Sequence, residues 1–142
     1  MVPTPSFAQQ RMIFFTLPLG VIGFAIAIGV MHADPELAKA FAGGDPLDEA
    51  VWPVAAGAGV VAFGLRRMLQ GWTDGLAGAQ RRRMRMRATL LPLAVLEGGA
   101  LFALVAWLLS GEEQPGLVAA LVLLAAMLAI APLRDPDEDV AG

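Results

Sequence analysis

The 142-residue sequence contains no cysteine and only one histidine, His32. The absence of cysteine excludes disulfides and thiolate-bound metals, and one histidine is too few for a zinc or haem site built from this chain alone. Charged residues make up only 16% of the chain, whereas 57% is hydrophobic, and the mean hydropathy is +0.65. A soluble domain of this size carries more charge and fewer apolar residues. The composition therefore predicts an integral membrane protein.

The residue patterns that support ordinary catalysis are also missing. The sequence has no paired carboxylates, no Ser/His/Asp set, no HExxH zinc motif and no phosphate-binding loop. We therefore predict that the chain is not an enzyme and binds no cofactor or metal. A membrane-bound electron carrier is disfavoured as well, because no histidine lies inside a predicted membrane span.

Four apolar stretches fill most of the chain, and each is close to the length that crosses a bilayer. They cover residues 12–31, 50–67, 88–109 and 116–133. The first is longer than the apolar part of a usual signal peptide and is followed by a poor cleavage site, so we expect it to be retained. The predicted fold class is all-α, a single domain formed by an integral membrane four-helix bundle.

The polar segments between the predicted spans contain signals for the starts and ends of helices. Asp34-Pro35-Glu36 predicts an N-cap followed by a proline at the first helical position, and Asp45-Pro46 repeats that start signal before the second span. Gly111 and Pro115 predict a tight hairpin between the last two spans. We expect His32 to be solvated at the end of the first span.

Basic residues are distributed very unevenly along the chain. Seven arginines lie between Arg66 and Arg87, while Arg11 and Arg134 flank the termini. The opposite loops hold only Lys39. The positive-inside rule then predicts that both termini are cytoplasmic. The basic segment 68–87, with a helical extension over 80–87, is predicted to be a cytoplasmic loop, and 32–49 a short periplasmic segment. The bias towards alanine, glycine and arginine favours a bacterial inner membrane.

Five of these arginines form the run RRRMRMR directly before the third span: Arg81, Arg82, Arg83, Arg85 and Arg87. We expect these arginines to determine the membrane topology whether or not they also bind a lipid or a partner. They are also candidates for contact with anionic lipid headgroups, at about 1 kcal/mol per basic residue near the surface, or with an acidic partner protein. Nucleic acid is not an expected partner, because the run lies against the membrane and lacks interleaved aromatic residues.

Glu97 is the most informative single residue, because it lies in the middle of the third apolar stretch. It is roughly 15 Å along the helix from Arg87, near the midplane of a hydrocarbon core roughly 30 Å thick. A charged carboxylate there is costly, so we expect the neutral, protonated form. Three interpretations remain open: a structural acid that is hydrogen-bonded to a neighbouring helix, a group that takes up and releases protons, and a contact for a ligand or lipid.

Small residues predict surfaces where helices approach each other closely. In the second span these are Gly57, Gly59 and Gly64, and beside the acid they are Gly98 and Gly99. Four short helices leave such packing surface unused. We therefore expect a homo-oligomer or a place in a larger membrane-protein complex, with the lipid bilayer as the common partner.

The run LAVLEGGALFALVAWLL at 93–109 resembles the second helix of the proteolipid c subunit of rotary ATP synthases, in which an acid among small residues carries the transported proton. Arg87 and Thr89 are similar to the entry of that helix, and the small residues at 55–64 to the glycine-rich first helix. The resemblance covers residues 50–109. It implies that Glu97 matches the proton-carrying acid. The loop differs, being longer and without the family's R-Q-P turn, and two further helices lie outside the hairpin.

Two functions are therefore predicted for the chain. The preferred one is a small structural or accessory subunit of the membrane that packs against itself or against a larger complex. The alternative is a proton-handling transport or channel protein that uses Glu97.

Overall fold

The structure, a computed structural model, describes residues 7–41 and 47–131. These residues form five α-helices and no strand: α1 (Phe7–Ala33), α2 (Pro35–Phe41), α3 (Asp48–Thr73), α4 (Gly78–Ser110) and α5 (Gly116–Ile130). The all-α prediction is confirmed for this part of the chain. Helices α1, α3 and α4 are long and apolar enough to cross a membrane, which supports a membrane protein, whereas α5 has only 15 residues.

The helix boundaries revise the predicted loop at the basic end of the chain. Helix α3 continues to Thr73, and α4 already begins at Gly78. Most of the segment 68–87 is therefore helical, and only four residues, 74–77, connect the two helices. The predicted helical extension over 80–87 is confirmed. Arginine, methionine, glutamine and leucine favour helix, and these residues dominate the ends of both helices.

Helix α5 ends earlier than the predicted span at 116–133. Its last residue is Ile130, and Ala131 has an extended backbone, with φ −60° and ψ 130°. The next residue in the sequence is Pro132, whose ring disfavours the helical conformation of the residue before it. The described helix is therefore about 22 Å long at 1.5 Å per residue.

Two predicted helix ends are confirmed in detail. Asp34 caps α2, because its Oδ1 accepts hydrogen bonds from the backbone N–H of Glu36 at 2.9 Å and of Leu37 at 3.5 Å. Gly111 ends α4 in the left-handed region at φ 74°, and its N–H donates to the carbonyl of Trp107 at 3.0 Å. The start signal at Asp45-Pro46 lies outside the described residues.

Helix α4 is the central element, and α1 packs against it in parallel. A Cβ added to Gly20 of α1 would meet Glu97 Oε1 at 3.6 Å, and one added to Gly29 would meet Trp107 Cη2 at 3.9 Å. Both helices therefore advance in the same direction along this contact. Among the described residues no Cα atom of α1 lies within 8 Å of a Cα atom of α3, so the two helices lie on different sides of α4.

Helices α3 and α5 run antiparallel to α4. A Cβ on Gly99 would meet Ala58 of α3 and Leu123 of α5, and one on Gly116 at the start of α5 would meet Trp107 near the end of α4. The core between the four long elements is made of small and aliphatic side chains. Its fully buried larger members are Val21, Ile28, Val51, Leu93, Leu96, Leu104 and Met127.

These directions collect the basic residues at one end of the bundle. The N-termini of α1 and α4 and the C-termini of α3 and α5 share that end, which we call the basic end. It holds Arg11 and the seven arginines between Arg66 and Arg87. The opposite end holds Lys39 together with the acids Glu112 and Glu113. The basic residues that are clustered in the sequence are therefore also clustered at one end of the folded bundle.

Candidate functional site

Glu97 lies halfway along the contact between α4 and α1. Its Oε1 is in ordinary van der Waals range of the Cβ position of Gly20, near the middle of α1. Gly99, two residues further along α4, lies against the middle of α3 and the middle of α5. Glu97 is therefore near the centre of the bundle along its long axis, as the sequence predicts for a residue close to the midplane of a bilayer.

The carboxyl group of Glu97 is only half-buried. Within residues 7–41 and 47–131 it forms no hydrogen bond and no ion pair. Gly98 beside it is exposed, with no heavy atom within 4 Å of its Cβ position. The carboxyl therefore lies at the edge of the α1–α4 contact, where a proton, an ordered water or a second chain can reach it.

The predicted packing glycines divide into two groups. Gly99 is at a close contact, because an added Cβ would be 2.8 Å from Ala58 Cβ and 3.1 Å from Leu123 Cδ1. The others have no heavy atom within 4 Å of their Cβ positions: Gly57, Gly59, Gly64 and Gly98. Gly57, Gly64 and Gly98 are exposed, so their surfaces are open to lipid or to another chain, whereas Gly59 is partly buried.

Two of these open glycines belong to a regular row on α3. The row alternates steps of four and three residues on the side of α3 that faces away from its buried residues, and every member is exposed: Pro53, Gly57, Val60, Gly64, Arg67 and Gly71. The buried residues of the same helix lie on the other side: Val51, Ala55, Ala62, Leu69 and Thr73. We call the exposed row the outer face of α3. Gly59 lies beside this face and is partly buried.

Gly116 is a packing glycine that the sequence analysis missed. A Cβ there would lie 2.6 Å from the carbonyl oxygen of Ala103, 2.7 Å from Trp107 Cβ and 2.8 Å from Trp107 N. Helix α5 can begin this close to α4 only because Gly116 has no side chain. The available signal was the pair Gly116 and Ala120, spaced four residues apart as small residues are at close helix contacts.

The five arginines of the basic run do not form one cluster. Arg81 is tied to the turn before α4, because its Nε donates to the carbonyl of Leu76 at 2.6 Å. Arg82, Arg83 and Arg87 are exposed on the helix surface, whereas Arg85 is half-buried. The run is thus split between the surface of the helix and its contact with α3.

Arg85 lines a cavity of about 760 Å³ between the basic ends of α3, α4 and α5. Arg66 and Arg67, two of the seven arginines of the basic segment, line it from α3, so the cavity adjoins the basic end of the outer face of α3. The remaining lining residues are Gln70, Gly71, Thr73, Asp74, Ala88, Thr89, Ala129, Ile130 and Ala131. No local pattern in the sequence indicates this cavity, because residues from three helices line it.

His32 is part of a contact at the opposite end, and the expectation that it is solvated is wrong. Its ring meets Trp107 edge to face, with the ring centroids 5.3 Å apart. Its Nε2 donates to the carbonyl of Leu108 at 3.3 Å. That carbonyl is among the last four of α4, which have no partner inside the helix. His32 therefore caps α4 from the neighbouring α1. The buried Nδ1 of His32 and Nε1 of Trp107 have no hydrogen-bond partner among the described residues.

Within the described part of the chain, no three His, Cys, Asp or Glu residues lie close enough to bind a metal ion together. Comparisons with protein-family models, with curated proteins and with solved structures give no match for this chain. Function therefore has to be inferred from three features of the fold: the outer face of α3, the carboxyl of Glu97 and the arginines of the basic end.

Proposed function

We propose that this chain is a small integral membrane subunit with a structural or accessory role, which packs in a homo-oligomer or in a larger membrane complex. The observation that carries this proposal is the outer face of α3. Three glycines, Gly57, Gly64 and Gly71, recur on it at every second turn, and no heavy atom of another described helix lies within 4 Å of their Cβ positions.

Exposed glycines in this arrangement reduce the stability of the helix unless a partner packs against them. Glycine weakens a helix by roughly 1 kcal/mol relative to alanine, and it gives lipid little side chain to contact. A second helix that approaches closely recovers that loss through backbone and side-chain packing. The seven-residue spacing matches two helices that cross at about 20°, the common angle in membrane bundles. The outer face of α3 thus fits one more helix.

Leucine at Gly57 or Gly64 would test this role directly. Each substitution fills the groove, so we expect loss of self-association or of partner binding while the protomer stays folded. Gly23→Leu is the matched control, because Gly23 on α1 is also exposed with no heavy atom near its Cβ position. Native mass in mild detergent and energy transfer between labelled chains in liposomes measure the association. An unchanged oligomer in both α3 variants would refute the proposal.

We also propose that α1, α3, α4 and the shorter α5 cross the bilayer, with the basic end and both chain termini in the cytoplasm of a bacterial inner membrane. The support is the charge difference between the two ends of the bundle. Ala79→Cys and Glu112→Cys place single thiols at exposed positions on opposite ends. Glu112→Cys should react with an impermeant reagent in intact spheroplasts, and Ala79→Cys only after permeabilisation. The reverse pattern would refute this orientation.

The second candidate function is proton handling at Glu97. The observation that favours it is the half-buried carboxyl without a hydrogen-bond partner among the described residues. An acid that only cements the bundle is expected to be hydrogen-bonded, because an unpaired polar group in the membrane interior costs free energy. A carboxyl that is reached by protons from either side can load and release them in turn.

Glu97→Gln separates the two functions, because glutamine keeps the shape of glutamate but cannot release a proton. The purified protein in liposomes that contain a pH-sensitive dye provides the assay. Flux in the wild type that disappears in Glu97→Gln would favour transport over the structural role. Normal assembly without proton flux in the wild type or in Glu97→Gln would support the structural role and exclude a transporter that works without a partner.

A further inference from the structure

The cavity at the basic end has the shape and charge of a lipid-binding site. We propose that it binds the headgroup of an anionic phospholipid that carries two phosphates. This inference rests on the proposal that the helices cross a bilayer, and it adds a specific ligand class to the structural role. Among the arginines of the basic end, it narrows the lipid contact to Arg66, Arg67 and Arg85.

The cavity exists because α5 is shorter than its neighbours at this end. Helix α5 stops at Ile130, whereas α4 extends from Ala88 back to Gly78, roughly 15 Å further. Helix α3 accompanies it to Thr73. Helices α3 and α4 therefore project beyond the end of α5. They form two walls of the cavity, and the end of α5 forms its floor. In a bilayer this step from apolar floor to polar walls falls where hydrocarbon meets the headgroups.

The charge of the lining favours an anion. Arg66 and Arg67 line one wall, Arg85 lines the other, and Asp74 is the single acid. Three arginines against one aspartate leave a formal surplus of two positive charges. No described acid forms an ion pair with Arg66 or Arg67. Arginine binds phosphate through two parallel hydrogen bonds, so Arg66 and Arg67 provide donors for two phosphates, while Arg85, which has a further interaction of its own, adds positive charge to the opposite wall.

The uncharged lining residues distinguish a lipid from a soluble anion. The hydroxyls of Thr73 and Thr89 donate to carbonyls of their own helices, Gln70 at 2.6 Å and Arg85 at 3.2 Å. They therefore have no hydrogen left for a phosphate. The floor is apolar and consists of Ala88, Ala129, Ile130 and Ala131. Such a floor suits the glycerol and acyl carbons next to a headgroup, and basic pockets between helices on the cytoplasmic side are a known way to bind cardiolipin-type lipids.

The test compares lipid binding to the full chain with and without the cavity arginines. Arg66→Gln/Arg67→Gln removes two charges from the cavity. The matched control Arg83→Gln/Arg87→Gln removes two charges from exposed positions of α4 that do not line it. Cardiolipin, phosphatidylglycerol, phosphatidylcholine and inorganic phosphate are titrated into the protein in neutral detergent. Native mass spectrometry measures the bound fraction, and membrane extraction confirms that each variant is inserted.

We expect cardiolipin to bind more tightly than phosphatidylglycerol, and phosphatidylcholine not to compete. Each arginine near the surface contributes roughly fivefold, so Arg66→Gln/Arg67→Gln should weaken cardiolipin binding about 25-fold. The control should keep the wild-type affinity. Equal weakening in both double variants would overturn the proposal, because it would mean general attraction to the basic end. Tight binding of inorganic phosphate alone would overturn the choice of a lipid.

The competing occupant of the cavity is the acidic sequence that follows Ala131. A variant in which Asp135, Asp137, Glu138 and Asp139 are neutralised tests it in the same assay. If that variant binds cardiolipin like the wild type, the lipid site stands. If it gains a cardiolipin site that the wild type lacks, the proposal is wrong for the native chain. Normal membrane insertion of every variant would show that a loss of lipid binding does not result from failure of the helices to enter the bilayer.

Discussion

The close contact between α4 and the start of α5 makes Gly116 the most informative position for a stability measurement. Gly116→Ala adds one methyl group against Ala103 O, Trp107 Cβ and Trp107 N, all within 2.8 Å. Two of these atoms belong to the backbone and the third is fixed to it. None can move away by rotating a side chain, so the two helices must separate.

The size of the effect follows from that separation. Bringing the shortest distance from 2.6 Å to an ordinary contact of 3.4 Å moves the start of α5 by about 0.8 Å. A gap of this size removes roughly a quarter to a half of the attraction between the atoms it separates. A substitution that overpacks a core costs about 1–3 kcal/mol of stability. At the first position of a helix, the better helix propensity of alanine offsets little of this cost. We expect a loss of about 2–3 kcal/mol in the free energy of unfolding.

Gly98→Ala is the matched control, because it adds the same methyl group to an exposed helical position with no heavy atom nearby. It should stabilise the protein by about 0.5–1 kcal/mol through the better helix propensity of alanine. Unfolding in mixed micelles with increasing dodecyl sulfate, followed by circular dichroism and by the fluorescence of buried Trp107, measures both changes. Equal stability of the two variants would show that α5 does not start in contact with α4.

Three further predictions concern helix ends. Gly111→Ala should destabilise the α4–α5 hairpin by about 1–2 kcal/mol, because a φ of 74° is unfavourable for alanine. Gly111→Asn should cost less, because asparagine tolerates the left-handed region better, and urea or dodecyl sulfate titration measures both changes. Asp34→Ala should cost about 1 kcal/mol of α2 stability and speed amide exchange at Glu36 and Leu37. His32→Ala should cost about 2 kcal/mol by removing the ring contact and the hydrogen bond together, and His32→Phe should recover the ring part; equal losses would contradict the ring contribution.

Helix ends were the part of the fold that could be predicted from local sequence. The cap at Asp34 and the stop at Gly111 depend on residues within one turn, so their patterns are visible without the fold. The long apolar stretches predicted four spans, and three of the four are helices long enough to cross a membrane. The predicted second span ends at residue 67, whereas α3 continues to Thr73, because a helix can extend beyond the apolar stretch that marks a span.

The contacts between helices could not be predicted in the same way. The tight contact at Gly116 depends on the rotation of α5 against α4, which the nearly uniform apolar sequence of α5 does not specify. His32 was expected in solvent because it follows an apolar run, yet α1 runs parallel to α4 and brings it to Trp107. The cavity with Arg66 and Arg67 required knowing that α5 stops at Ile130 while its neighbours continue.

The shortness of α5 has a further consequence for the surrounding lipid. A helix of about 22 Å is roughly 8 Å shorter than an average hydrocarbon core, a case of negative hydrophobic mismatch. Lipids beside a crossing α5 must compress or tilt, at fractions of a kcal/mol for each ångström. Two copies that share one thinned annulus deform less bilayer than two copies apart. If α5 crosses the bilayer as proposed, the membrane itself draws protomers together, in addition to any force from direct contact, and it favours residence in thinner bilayers.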